Sequence, residues 1–321
     1  MKYDLEWNVN GGSIYYRKEA EGIYITRYRG RIKELIIPDR IEDTLVVGIK
    51  KKSFLGCKSL QFVKLPGYLS SIEDWAFAQC SFLEMVVMPK KDMMFGQGVF
   101  LKDKRLRHLY LFEKSMSLLE ETDHRFSTAK MEWEKRFSAE ETQYAELFAA
   151  SLQVLKADYL LNPLAVGTRE WIDKWDFRML TILHEEDEEG YHKMVLCGEE
   201  DLSANYEEYL AENRRRKARL SFIRLLNPIG MAAETKEELV KYLQEHTKGC
   251  ESEASWEVVS KEFGDEKPYF ELLLELGCIT NENFDGMLSD LGDRHAETKA
   301  YLINHREEQI GTEDFFDSLM L

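Results

Sequence analysis

The sequence predicts an α+β chain: a short β-solenoid with an N-terminal β-hairpin cap, followed by an all-α helical-repeat region. Three observations predict it. Apolar residues recur every 23 positions between Ile49 and Phe112. After about Lys114 the apolar spacing changes to the threes and fours of amphipathic helices. The balance of charge reverses at the same boundary. A chain of 321 residues has room for two domains. Its 44% hydrophobic and 12% aromatic content suits packed cores and excludes a disordered polymer.

The repeat is carried by several columns in register. Phe54, Phe77 and Phe100 form one, and Ile49, Ile72 and Phe95 another. Leu60, Leu83 and Leu106 follow, then Val63, Val86 and Leu109, then Leu65, Met88 and Leu111. Pro66 and Pro89 are matched by Phe112, while Cys57 and Cys80 are matched by Asp103. Within a unit, Val63 and Leu65 share a face at the two-residue period of a strand. The proline that follows has no amide hydrogen and ends the ladder. A single unit cannot bury its apolar edge, whereas stacked units share one continuous core. Upstream, Asn10-Gly11-Gly12 between apolar runs reads as the turn of a capping hairpin.

These units, Ser53-Phe54-Leu55-Gly56-Cys57-Lys58-Ser59-Leu60 and Ala76-Phe77-Ala78-Gln79-Cys80-Ser81-Phe82-Leu83, resemble the BspA-type leucine-rich repeats of bacteria. The lead-in Leu35-Ile36-Ile37-Pro38 and Val47-Gly48-Ile49 fits a longer first unit, and the resemblance covers roughly residues 20–112. It implies binding through repeat surfaces. The two equivalent cysteines read as small apolar residues of an interior column.

The expected division is a repeat domain over residues 1–113, a linker over 114–128 and a helical domain over 129–321. Helices are expected over Phe137–Leu161, Thr168–His184, Ser203–Leu226, Thr235–Gln244, Ser252–Phe263, Pro268–Leu276, Thr280–Leu291 and His295–Arg306. Capping boxes are read at Ser138 with Glu141 and at Thr235 with Glu238. Gly277 suits a left-handed C-terminal cap. The segment Tyr269–Tyr301, through Leu272-Leu273-Leu274, Gly277-Cys278-Ile279-Thr280 and Ala300-Tyr301-Leu302, resembles degenerate ankyrin-like ends of clostridial proteins with such arrays. The tail from Thr312 to Leu321 reads as a docked helix or as a peptide for a neighbour's groove.

Residues 1–112 hold 19 basic and 13 acidic side chains, which leaves 24 and 46 for the remainder. The plain reading is attraction between the two parts, or between copies. The sharper one is a polyanion bound at Lys50-Lys51-Lys52, Lys90-Lys91 and Lys102–Arg107, but no recognition motif accompanies these clusters. The run Arg214–Arg219 reads as a charged helix face beside acidic neighbours.

The residues between the apolar strand positions line the concave surface. They give the columns Glu34, Phe62, Met85, His108 and Ile36, Lys64, Val87, Tyr110. Phe62, Met85, Val87 and Tyr110 make a stripe too apolar for free solvent. The stripe is expected to be covered by this chain or a second copy, or to bind another protein. The candidate binding residues are Phe62, Lys64, Met85, Val87, His108 and Tyr110.

No nucleophile elbow, phosphate-binding glycine loop or zinc-protease motif is present. His184 to His192, with its carboxylates, could hold a divalent ion but reads as a solvated acidic connection. Trp133, Trp171, Trp175 and Trp256 read as core. The start of the sequence lacks an apolar signal core, and no stretch is long enough to span a bilayer. The expectation is therefore a non-enzymatic, cytoplasmic protein–protein interaction or scaffold protein, without catalytic residues, metal or cofactor. Its partner would be a protein or itself, rather than a membrane or nucleic acid. The alternative is a regulatory or enzymatic helical domain that the array targets.

Overall fold

The computed structural model describes residues 4–9, 11–113, 129–191, 205–264, 266–293 and 295–306. The expected linker and the C-terminal tail lie outside the described residues. The chain divides into two compact units, residues 1–179 with 227–230, and residues 180–226 with 231–321. The first helices therefore belong with the repeats, and the divide does not fall at the 113/129 boundary expected from the change of period.

The first unit opens with the antiparallel strands β1 (Leu5–Val9), β2 (Gly12–Glu19) and β3 (Gly22–Gly30). Gly11, with φ of 78°, makes the β1–β2 turn. From β3 onward the chain coils through β4 (Glu34–Ile36), β5 (Arg40–Ile41), β6 (Thr44–Ile49), β7 (Phe62–Lys64), β8 (Ser71–Ile72), β9 (Met85–Pro89), β10 (Met94–Phe95) and β11 (His108–Phe112). Two sheets result. One runs β1-β2-β3-β6-β8-β10, and the other runs β11-β9-β7-β4. The second sheet is parallel throughout, pairing Glu34 with Phe62, Phe62 with Met85, and Met85 with His108. The expected concave columns are thus the observed register.

The interior follows the same period. The rings of Tyr28, Phe54, Phe77 and Phe100 stack in one row, with centroids 5.4, 4.6 and 5.6 Å apart. Beside the row, backbone bonds tie each coil to the next, from Phe54 N to Ala76 O at 2.7 Å and from Phe77 N to Val99 O at 2.9 Å. The backbone also repeats. Lys52, Trp75 and Gly98 have φ of 60°, 52° and 59°, and Gly56, Gln79 and Lys102 have 69°, 62° and 65°. Each coil therefore turns twice through the left-handed region, where glycine is the least strained residue. Only one glycine appears in each column, so this repeat is hidden in the sequence.

Helices α1 (Ala129–Glu134), α2 (Ala139–Gln153) and α3 (Arg169–His184) follow the array. The capping box of α2 is formed: Ser138 N–H donates to Glu141 at 2.8 Å, and Glu141 N–H donates to the Ser138 hydroxyl at 3.2 Å. The helix ends at Gln153, well short of Leu161. Lys156 takes φ of 52° and a separate 3₁₀ turn forms over Asp158–Leu160. The Trp175 indole donates to Leu147 O at 3.0 Å, and the Trp171 indole to Leu160 O at 3.0 Å. Both rings are buried, as their apolar spacing predicts.

The second unit is helical, with α4 (Tyr206–Leu226), α5 (Ala233–Glu245), α6 (Ala254–Glu262), α7 (Lys267–Glu275), α8 (Phe284–Leu291) and α9 (296–306). The long α4 meets α5, α6 and α7 in turn. It serves as a common spine for three later helices. Its core includes Phe222, Leu239, Leu243, Trp256, Val258, Phe270 and Leu273. The Gly277 cap is realised with φ of 67°: Cys278 N–H reaches Leu273 O at 2.9 Å, and Gly277 N–H reaches Leu274 O at 3.0 Å. Thr235 does not cap a helix. α5 begins two residues earlier, and Thr235 is buried within it.

Candidate functional site

The parallel register of β4, β7, β9 and β11 gathers the six candidate residues on one face. Phe62, Lys64, Met85 and Val87 have no solvent exposure, and Tyr110 has 3%. Their cover comes from the same chain. Trp133 of α1, Phe137 between the helices and Ala145 of α2 join Phe62, Met85, Val87, Tyr110 and Phe112 in a single apolar cluster. Tyr110 stacks on Phe137 with centroids 4.3 Å apart, and Phe112 meets Trp133 at 5.8 Å. A partner reaching these strands would have to replace that cover.

Polar contacts frame the apolar centre. The N–H of Ala129 donates to Glu34 at 2.6 Å, so a concave-face carboxylate receives the start of α1. Lys130 pairs with Glu84 at 2.6 Å. On the far edge His108 meets Glu146 at 3.2 Å, and the Tyr110 hydroxyl donates to Thr142 at 3.3 Å. Burial pushes the Glu146 carboxyl up, but hydrogen bonds from His108 and Asn227, with Arg107 nearby, hold it below the ordinary carboxylate range. Lys64 lies wholly inside, 3.5 Å from Asp39 and 5.3 Å above the Phe112 ring. Two helices and the turn between them thus close over the apolar strand face, with polar and charged contacts at its edges.

α1 is not among the helices delimited from the sequence, although the helical domain is expected from residue 129 and Trp133 as core. Its signal is the spacing of Trp133 and Phe137, an i, i+4 aromatic pair just past the last strand, which places both rings on one side of a helical turn.

The candidate clusters at Lys50–Lys51, at Arg214–Arg219 and at His184 resolve into internal pairings. Lys50 lies near Glu19 and Glu73 at 3.6 and 3.3 Å and 3.9 Å above the Tyr24 ring, while Lys51 lies 4.4 Å above Trp75. In the second unit, Arg214 and Lys217 both hold Asp187, at 2.6 and 2.9 Å. Arg219 joins Glu212 at 2.7 Å to Glu262 at 2.6 Å. The basic run of α4 is therefore an internal fastening. His184 meets Glu238 at 2.7 Å, while His192 lies outside the described residues. Among the described residues, no group of three or more His, Cys, Asp or Glu is placed to hold a metal ion. A depression of about 630 Å³ is lined by Tyr159, Arg169, Glu170, Asp173, Lys174 and Phe177. It is open to solvent, and its charges close on one another as Arg169–Asp173 at 2.9 Å and Lys174–Glu170 at 2.6 Å. No helix among the described residues is long and apolar enough to cross a membrane.

Comparison with protein families agrees with the repeat geometry. Residues 26–132 match the BspA type leucine rich repeat region in six copies. That span starts within β3 and reaches into α1, whereas four coils are visible in the second sheet. The comparison with curated proteins returns no match. Among solved structures, a leucine rich repeat protein of T. pallidum is similar at 27% identity and TM-score 0.28, covering 35% of this chain and 51% of its own. A leucine rich cell surface protein from Faecalibacterium prausnitzii is similar at 19% identity and TM-score 0.27, covering 34% of this chain and 30% of its own. The chain thus spans about half the length of the first. Residues 26–132 are a BspA-type leucine-rich repeat region, and this region carries the covered strand face.

Proposed function

We propose that the chain is a non-enzymatic protein–protein interaction module that recognises a helical segment through its concave strands, with α1–α2 occupying that surface as an internal ligand. The observation that supports this is the chemistry of the occupied face. A row of apolar strand residues takes an i, i+4 aromatic pair, while Glu34, Glu84 and His108 at the rim meet a helix start, a lysine and a carboxylate. A partner helix with the same pattern would satisfy the same groups. Repeat arrays lend themselves to this, because stacking builds an extended surface from few residue types.

The reading is tested by opening the face. Replacing both Trp133 and Phe137 by Ala removes the centre of the cover and leaves the stripe bare. Exposed stripes of that kind drive association. The opened protein is expected to self-associate by light scattering or to capture a partner that the unaltered protein does not. Adding Phe62→Glu and Met85→Glu should reverse the gain. An opened protein that stays monomeric and captures nothing would show that the face serves only as interior.

A further inference from the structure

The array contains a second in-register column beside its aromatic row. Cys57, Cys80 and Asp103 occupy equivalent places in three successive coils. The coils are tied immediately next to them, from Gly56 N to Ala78 O at 2.9 Å and from Gln79 N to Leu101 O at 2.8 Å. The Cys80 thiol itself bridges to the neighbouring coil, donating to the Phe54 carbonyl at 3.2 Å. Hydrogen-bonded neighbours of this kind stand ~4.8 Å apart. That lies inside the ~4.4–6.8 Å between Cα atoms over which a disulfide closes without backbone movement. The two sulfurs differ in access. Cys57 is half-buried and reaches solvent, whereas Cys80 is fully buried.

We propose that Cys57 and Cys80 form a redox pair, in which a peroxide oxidises the accessible Cys57 and the buried Cys80 resolves it into a coil-to-coil disulfide. In the first step the Cys57 thiolate attacks a peroxide oxygen. The O–O bond breaks, Cys57 becomes a sulfenic acid, and the leaving oxygen takes up a proton as water. In the second step the Cys80 sulfur attacks the Cys57 sulfur, the S–OH bond breaks, and hydroxide leaves as water with the Cys80 proton. Two thiols have then lost two electrons and two protons, and hydrogen peroxide has become two waters. Cys57 is suited to attack, because its contact with the Cys80 thiol holds its pKa below that of an ordinary thiol. That same contact, together with burial, pushes Cys80 up. The column offers Cys80 one thiol neighbour only, since its other side is Asp103, whose carboxylate accepts the Cys80 N–H at 2.8 Å.

The test is peptide mapping of the full chain after graded hydrogen peroxide, digested without reduction. The expected product is a cross-linked pair of peptides holding Cys57 and Cys80, lighter by two hydrogens and restored by dithiothreitol. In Cys80→Ser, Cys57 should instead run on to the sulfinic acid, gaining two oxygens. In Cys57→Ser, Cys80 should stay reduced at the same dose. Alanine versions serve where a serine variant loses its cooperative thermal transition. Sulfinic acid at Cys57 of the unaltered chain without the disulfide would overturn the proposal. So would oxidation of Cys80 in Cys57→Ser at the dose that oxidises the unaltered chain.

Discussion

Phe77 of the array lies in a row of rings supplied by the same position of neighbouring coils, at interplanar angles of 11° and 15°. Trp256 of the second unit meets Phe270 edge-on at 77°, a contact between two residues with no periodic relation. The same contrast holds for polar groups. In the array, backbone bonds between coils recur at fixed spacing. In the second unit, fastening comes from particular charges, with Asp187 gripping Arg214 and Lys217 and Arg219 gripping two glutamates. A periodic core is therefore vulnerable at any one coil through its neighbours, whereas the helical core is vulnerable at individual pairings.

The largest effect should follow Phe77→Ala, which opens a cavity in the middle of the stacked row. The expected cost is ~3–5 kcal/mol in the stability of the first unit, read from chemical denaturation, with the helical unit's transition unmoved. If both transitions shift equally, the units are not separate in the sense drawn here.

A smaller effect, with a pH signature, is expected at Asp103. It is fully buried, and its Oδ2 has no hydrogen-bond partner. Burial pushes its carboxyl up to about 8, against ~3.9 in an unfolded chain. Between these values the folded protein keeps a proton that the unfolded chain has released. Stability should therefore be fullest in acid and fall as pH rises from about 4 to 8. Asp103→Asn should remove that fall, leaving the protein unchanged near pH 4 and progressively more stable than the unaltered chain as pH rises to 8. Denaturation midpoints across that range check it, and parallel profiles for the two proteins would contradict it.

The smallest of the three belongs to the helical unit. Burial raises the Asp187 carboxyl, but Lys217 and Arg214 outweigh it and hold the group below its ordinary value. Asp187→Ala would leave Lys217, 7% exposed, with one anionic partner fewer. The expected loss is ~2 kcal/mol, confined to the second unit's transition.

The array could be read from the sequence because one period fixes register, interior and face together. Phe54, Phe77 and Phe100 could only stack, and Phe62 and Met85 could only share a column. What escaped was written in backbone angles. Trp75, Gln79, Lys52 and Lys102 adopt left-handed φ values that favour glycine, so no residue type marks those turns. Which segment supplies the expected cover escaped for another reason. α1 has six residues, too few for its periodicity to stand out, and it is held by tertiary packing of Trp133 more than by its own propensity. The helices were legible from their apolar spacing, and Ser138 marked the start of α2, but not every start could be read. Thr235 has the form of a cap, yet packing draws it into α5.

The most direct measurement uses a synthetic peptide of residues 129–153 added to the full chain carrying Trp133→Ala and Phe137→Ala. If the concave strands recognise a helix bearing an i, i+4 aromatic pair, the peptide should bind saturably to the opened chain. Binding should be weak to the unaltered chain and lost when Phe62→Glu and Met85→Glu are added. Equal binding to all three, or none to the opened chain, would contradict the claim that this face is a recognition surface.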